Sequence, residues 1–288
     1  MNELSAQEIE YVREFSDNLG EPKASVIIVT YNIPKTEFKP TLDALEHQTT
    51  KNFEILIIDN GNDWDIDVFV STYSQVRVYV KLKKNYGLNE ARNIGAKLAK
   101  GNILIFLDDD GIPRRDFVRE HLKAHSDYDI VAASGKIIPK TRTFYSKLNL
   151  SYDLGEKVIP YIINTEGNSS FNREKFLEVS GFEEKLRGSG GGEGLLISYK
   201  LIKNTSDKSK IIYYPKAVIY HDPVSGFIPY INKQIKHRKY KKMFWKTYPE
   251  IVDLIKYYKK TRFEKARREM TLSEKLLRLV VLFFAKVL

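Results

Sequence analysis

Three adjacent carboxylates, Asp108, Asp109 and Asp110, follow the apolar run Ile103 to Leu107 and lead into Gly111-Ile112-Pro113. In extended backbone, residues two apart face the same way, so Asp108 and Asp110 point together while Asp109 points elsewhere or caps the turn at Gly111. Two convergent carboxylates are hard oxygen ligands suited to Mg2+ or Mn2+, ions that keep other coordination positions for water and phosphate. A divalent ion held there can neutralise a pyrophosphate leaving group. The same aspartates would also serve as turn formers or as N-caps for a helix at Arg114, but the buried strand ahead of them favours the ligand role.

The elements that must position these groups are legible from Ala24 onward. Apolar runs ("SVIIVTYN", "FEILIIDNG", "VRVYVKL", "NILIFLDDD") alternate with amphipathic segments ("TEFKPTLDALEHQ", "DIDVFVSTYSQ", "NEARNIGAKLAK"). Strands rich in Val and Ile that are separated by helices imply an α/β domain with a mainly parallel central sheet flanked by helices. Ligands of such sheets gather beyond the carboxyl ends of the strands. Those ends read Thr30-Tyr31-Asn32, Asp59-Asn60-Gly61 and Asp108-Asp109-Asp110, so polar groups from separate strands should converge. After Pro113 come a helix "RRDFVREHLKAH", a strand "IVAASGKII", an irregular stretch from Pro139 to Thr165, the segment "GNSSFNREKFLEVSGF", a glycine-rich loop "RGSGGGEG" with a helix behind it, and a last strand ending near Pro223.

The expected division is an N-terminal helical segment over 1–23, a catalytic domain over 24–223 with halves at 24–112 and 113–223, and a basic, aromatic helical extension over 224–288. The 288 residues carry 47 Lys/Arg and 37 Asp/Glu, and 17 of those cations against 5 acids lie in residues 233–288. The remaining 30 cations and 32 acids leave the rest nearly neutral, so any basic function belongs to the tail. Cysteine is absent, which excludes disulfides, thiolate metal sites and cysteine nucleophiles. The charged N-terminus has no apolar core of signal-peptide length, which gives a cytoplasmic expectation. The run Leu279 to Ala285 is far shorter than the roughly 20 apolar residues of a membrane span, and fits a helix lying on a surface.

The succession "SVIIVTYNIP", "LIIDNG", "NYGLNEARNIGA", "ILIFLDDDGIP", "NSSFNREKF", "GGGEGLLISYKL" and "AVIYHDP" resembles the family 2 glycosyltransferases, which have the glycosyltransferase-A fold. The resemblance covers about residues 24 to 223. It implies a nucleotide-sugar donor, commonly UDP-linked, and inverting transfer to a hydroxyl of a glycan or lipid-linked acceptor, with Mg2+ or Mn2+ as cofactor. It also implies that Thr30, Tyr31 and Asp59 hold the nucleobase, that Arg92 lies by the nucleotide, that Asp108 sits near ribose and metal, and that Asp110 ligates the metal directly. His221 falls where many relatives carry a histidine close to metal or diphosphate, and Asn168 where the family lines the donor-sugar pocket.

Elementary chemistry is compatible with these roles. Tyr31 can stack on a base, and Asp59 can accept hydrogen bonds from a nucleoside or simply build an Asx-turn in "DNGND". The planar guanidinium of Arg92 suits a nucleotide or an ion-pair network. Asn168 can line a pocket or satisfy backbone groups in a bend. Inverting transfer needs a group that takes the acceptor's proton. The family's usual Glu-Asp pair reads Glu193-Gly194 here, which leaves three readings: Glu193 as the expected base, Glu183 or Glu184 in its place, or a catalytically weak protein; the positive helix N-terminus is an alternative reason for Glu193.

Two other classes compete. "FLDDDGIP" also resembles the signature of haloacid dehalogenase-like phosphatases, although those proteins carry it on their first strand. A non-catalytic reading makes the tail a binding surface. Its Tyr240, Phe244, Trp245, Tyr257 and Tyr258 among cations could engage anionic lipid, nucleic acid less so, or pack on the catalytic domain.

Overall fold

The computed structural model describes residues 7–15, 20–141, 152–186, 192–222 and 245–265, with further single positions between 228 and 280. Its first half is the expected alternation: β2 (Ala24–Thr30), α1 (Lys35–Glu46), β3 (Phe53–Asp59), α2 (Ile66–Val70), β4 (Val76–Leu82), α3 (Leu88–Leu98) and β5 (Ile103–Asp108). Every residue of β2 and β3 is buried, because helices cover both faces. On one face Phe106, Phe171, Phe176 and Phe182 pack with Ile27, Ile58 and Ile94 of α3; on the other, Phe38 and Leu42 of α1 pack with Ile28, Ile57 and Ile105. Gly95 lets α3 approach closely, since a Cβ there would lie 2.6 Å from Ile27 Cγ2.

Strands β4, β3, β2 and β5 run parallel, in that order. Thr30 pairs with Asp59 and Val29 with Asp108, so the carboxyl ends of β2, β3 and β5 finish level along one edge. The second half comprises β6 (Ile112–Pro113), α4 (Phe117–Asp127), β7 (Ala132–Ile138), β8 (Ile159–Pro160), β9 (Asn168–Asn172), α5 (Arg173–Glu178), α6 (Glu193–Thr205) and β10 (Ile211–Tyr220). It extends the same sheet. β9 runs antiparallel between β5 and β7, β10 pairs parallel with β7, and β6 and β8 pair with β10. The sheet is therefore mixed and mostly parallel, as the apolar runs imply.

The N-terminal segment expected to be helical contains a strand instead. β1 (Ile9–Glu14) adds antiparallel to the outer edge of β4. Tertiary contact overrides local propensity there: Arg13 pairs with Asp67 at 2.9 Å, and the Tyr11 and Tyr79 rings lie 5.9 Å apart. β9 was not legible as a strand because "NSSFN" has neither β-branched residues nor an apolar alternation.

Within the tail, α7 (Ile251–Lys265) packs against β8 and α6. Ile251, Leu254 and Tyr258 are buried, and the Tyr258 hydroxyl donates to Lys208 O at 2.6 Å. Trp245 and Tyr257 are exposed. Lys233, Tyr240, Phe244 and the loop glycines Gly188, Gly190 and Gly191 lie outside the described residues. Among the described residues no helix is long and apolar enough to cross a membrane.

Candidate active site

β5 delivers Asp108 at its last position, and the chain then turns sharply, the Gly111 N–H donating to Asp108 O at 3.0 Å. The three aspartates have three different environments. Asp108 accepts from Arg92 Nη2 at 3.1 Å, and Arg92 is itself buried with its guanidinium 5.6 Å from the centre of the Phe182 ring. Asp110 meets His221 Nε2 at 3.2 Å, and Lys140 Nζ donates to the Asp110 carbonyl at 2.8 Å. Burial alone would raise the Asp110 pKa, but the hydrogen bond and charge of His221, with Lys140, hold it below its ordinary value. Asp109 keeps some surface, yet its carboxyl sits deep among neighbouring atoms. Burial first, then the charges of Asp110 and Asp108, push it up to about 8. Its backbone carbonyl accepts from Thr41 Oγ1 at 2.8 Å, which ties the turn to α1.

His221 follows β10, its N–H donating to Ile138 O at 3.0 Å. Burial would lower its pKa, but the hydrogen bond to Asp110 and the charges of Asp108 and Asp110 raise it on balance. Asp108 and Asp110 therefore act on one imidazole, although Asp110 lies in the turn after β5 and not in extended backbone. Among the described residues, the buried His221 Nδ1 has no hydrogen-bond partner. Among the described residues no group of three or more His, Asp or Glu side chains is close enough to enclose a metal ion alone. Mg2+ and Mn2+ sites commonly take only one or two carboxylates and complete their shell with phosphate and water. Asp108 and Asp110, each with its side chain 32% exposed, fit that chemistry.

The residues expected at the nucleobase sit at the ends of β2 and β3. Tyr31 is 52% exposed, with one ring edge against Gly61, and can present a face to a base. Thr30 is wholly buried, and its hydroxyl accepts from Asn62 Nδ2 at 2.9 Å. Asp59 is also wholly buried. Its Oδ1 accepts from the N–H groups of Gly61 and Asn62, both at 3.0 Å, and from Asn62 Nδ2 at 2.7 Å; its Oδ2 accepts from Tyr79 Oη at 2.6 Å and Lys81 Nζ at 2.9 Å. Burial opposes its ionisation, but those bonds outweigh it and lower its pKa. Asp59 thus builds the turn beneath Tyr31 and offers a ligand no free acceptor. The Asx-turn alternative describes its geometry.

Asn168 is likewise wholly buried. Its amide nitrogen donates to Lys136 O at 2.9 Å and Ala217 O at 3.2 Å, and its oxygen meets His121 Nε2 at 3.1 Å. The side chain clamps β7, β9, β10 and α4 together, so the pocket-lining expectation gives way to the backbone-satisfying one. Gly135 makes the room, since a Cβ there would lie 2.4 Å from Asn168 Oδ1.

Glu193 opens α6 and is 4% exposed, with Gly192 before it at φ +98°. Glu183 and Glu184 are committed elsewhere, to Lys200 at 3.5 Å and to Asn93 Nδ2 at 3.0 Å. Sequence reasoning missed Glu166, whose Oε1 accepts from the Gly194 N–H at 2.6 Å. It also missed Gly167, which lies against the Asp108 carboxylate, and Tyr152, whose phenol is raised in pKa by burial first and then by Asp108, Glu166 and Asp110. Their local sequence carries no signal, because each role depends on a partner brought from another element.

Comparison with known proteins gives this arrangement its family. A YfnE protein of Bacillus subtilis, an uncharacterized glycosyltransferase, is 30% identical over 125 residues, 43% of this chain and 32% of that one. A glucosyl-dolichyl phosphate glucuronosyltransferase of Haloferax volcanii is 26% identical over 175 residues, 56% of each chain. This chain thus spans about a third to just over half of the length of these relatives. Among solved structures, the mannosyltransferase PcManGT from Pyrobaculum calidifontis in complex with GDP-Man and Mn2+ aligns with TM-score 0.58 at 20% identity, covering 75% of this chain and 62% of that one. TarS of S. aureus in complex with UDP aligns with TM-score 0.54 at 16% identity, covering 74% and 63%. These likenesses show the glycosyltransferase-A fold. The family model described as Glycosyl transferase family 2 matches residues 25–182, more than half of the chain, and the protein belongs to that family.

Proposed function

We propose that the chain is an inverting, metal-dependent glycosyltransferase that moves a sugar from a nucleotide diphosphate, UDP-linked in the first instance, to a hydroxyl of a glycan or lipid-linked acceptor. The observation that carries this reading is the grouping of Asp108, Asp110, Arg92 and His221 beyond the end of β5, level with Tyr31 at the end of β2. In this reading Tyr31 stacks on the base, supported by the turn that Asp59 builds. Arg92 fixes Asp108 toward the ribose. A divalent cation held by Asp110, with Asp108 and His221 beside it, would neutralise the diphosphate leaving group. Lys140 adds positive charge on the same side. The acceptor's proton goes to a carboxylate at the start of α6, where Glu193 and Glu166 stand. The solved relatives named above were crystallised with UDP, or with GDP-Man and Mn2+, which supports donor class and cofactor. Membership of family 2 displaces the phosphatase alternative.

Thermal shift of the full chain with Mn2+ and a panel of UDP, GDP and dTDP sugars tests the reading. Stabilisation by one donor, dependent on Mn2+ and lost in Asp110→Ala together with turnover, supports it; undiminished metal-dependent turnover in that variant overturns it.

The tail suits an acceptor at a membrane surface on the cytoplasmic side. Leu272, Leu276, Leu279 and Val280 recur at helical spacing and are exposed, next to the excess of Lys and Arg in 233–288. Flotation with phosphatidylglycerol vesicles should be lost when these three leucines become serine, while α7 stays packed.

A further inference from the structure

Resting on that reading, the remaining chemical question is which group receives the acceptor's proton. The carboxylates around the site divide by what already engages them. Asp108 is held by Arg92 and Asp110 by His221, and Asp109 lies in the turn between them, tied to α1 through Thr41. Glu183 and Glu184 face Lys200 and Asn93. Glu193 is closed off from solvent at 4% exposure. Glu166 is set apart by its place: it is partly exposed and held by the Gly194 N–H at the first turn of α6, with no cation paired to it among the hydrogen bonds and ion pairs above.

Its position is fixed from two sides. On one side, Gly194 N–H donates to its Oε1, and a Cβ on Gly194 would lie 2.6 Å from that oxygen and 2.5 Å from Ile163 O. The Glu166 carboxylate therefore fills the space that a side chain at 194 would need. The Ile163 N–H donates to Ser198 Oγ at 2.9 Å, and Ser198 Oγ donates to Gly194 O at 2.6 Å, which locks the segment before Glu166 onto the first turn of α6. On the other side, the next residue, Gly167, touches the Asp108 carboxyl group, and the Tyr152 phenol senses Asp108, Glu166 and Asp110 together. Glu166 thus stands between the start of α6 and the aspartates expected at the diphosphate.

We propose that Glu166 is the catalytic base of the transfer. Its carboxylate takes the proton of the acceptor hydroxyl. The acceptor oxygen forms its bond to the anomeric carbon as the bond from that carbon to the diphosphate oxygen breaks, and the bonding pair leaves with the diphosphate. The carboxylate reaches the site from the turn before β9, and Gly194 is what makes room for it.

The test uses the full chain with Mn2+ and follows nucleotide release from UDP-glucose, UDP-N-acetylglucosamine, UDP-glucuronic acid and GDP-mannose, with water as acceptor. Glu166→Gln keeps an oxygen for the Gly194 N–H but cannot take a proton. Its kcat should fall by roughly 10² to 10⁴, with the affinity for UDP and Mn2+ and the melting temperature unchanged. Formate added to Glu166→Ala should restore part of the rate, since it supplies the missing carboxylate. An unchanged kcat in Glu166→Gln shows a carboxylate that only braces α6 and overturns the proposal, as does loss of UDP affinity in step with rate. A larger loss of kcat in Glu193→Gln than in Glu166→Gln overturns it in favour of Glu193. A wild-type chain that neither binds nor cleaves any of the four donors overturns the transfer reading itself.

Discussion

Gly167 is pressed against Asp108: a Cβ built on it would sit 1.9 Å from the Asp108 carboxyl carbon, and the Asp108 N–H donates to Gly167 O at 3.3 Å. Relief of that overlap requires the Asp108 carboxyl group to swing away. Gly167→Ala should therefore displace Asp108 and break its bond to Arg92 while leaving the sheet assembled. Because a misplacement of about 1 Å can cost about 10²-fold in rate, turnover should fall by that order, with circular dichroism unchanged. Wild-type turnover in the alanine variant would show that Asp108 can move without consequence.

Arg92 and Asp108 should behave as a coupled pair. The guanidinium is buried against Phe182, so Lys cannot reproduce its planar fit. A double-mutant cycle with Arg92→Lys and Asp108→Asn, read as UDP affinity in the presence of Mn2+, should return a coupling between about 0.5 and 3 kcal/mol. Additive effects would mean that the two residues serve the donor independently.

How much of this was legible in the chain differs residue by residue. The level strand ends bearing Thr30, Asp59 and Asp108 follow from apolar runs long enough to be buried on both faces. The nearness of Asp108 and Asp110 to one histidine does not follow from two-residue spacing in a strand, because β5 ends at Asp108 and Asp110 lies in the turn that Gly111 closes. The actual duty of Asp59 does not follow either, because Tyr79 and Lys81 reach it from the adjacent strand β4, where "VRVYVKL" signals only a strand. The choice between the two roles of Asn168 stayed open for the same reason: its partners, His121, Lys136 and Ala217, come from three other elements. Glu166 was invisible because its place depends on a missing Cβ at Gly194, 28 residues away.

Asp59→Asn should be costly out of proportion to its small change in shape. The substitution turns one buried acceptor into a donor that faces Tyr79 or Lys81, and it leaves Lys81 without its carboxylate. Breaking a buried pair in this way costs about 3–5 kcal/mol, so the melting temperature should drop markedly and Tyr31 should lose its footing. A variant within about 0.5 kcal/mol of wild type by urea unfolding would show that the turn at Gly61 and Asn62 holds without the charge.

The buried histidines of α4 give the fold a pH dependence with a definite sign. Asn168 Nδ2 donates to two carbonyls, so its oxygen is the acceptor and His121 Nε2 carries the hydrogen. His121 Nδ1 then accepts from Ser170 Oγ at 2.9 Å, and Ser170 Oγ accepts from His125 Nε2 at 3.0 Å. This relay needs both rings neutral, and burial pushes their pKa values down to about 3 and about 4. Between pH 6.5 and those values the unfolded chain binds more protons than the native one, so stability falls as the pH falls. His121, wholly buried, should cost about 2 kcal/mol between pH 6.5 and pH 5, and His125 acts in the same direction. Urea unfolding at the two pH values should show the loss, and His121→Gln should reduce it, because the variant keeps a hydrogen-bonding side chain that does not titrate. An equal slope in wild type and His121→Gln would assign the acid sensitivity to other groups.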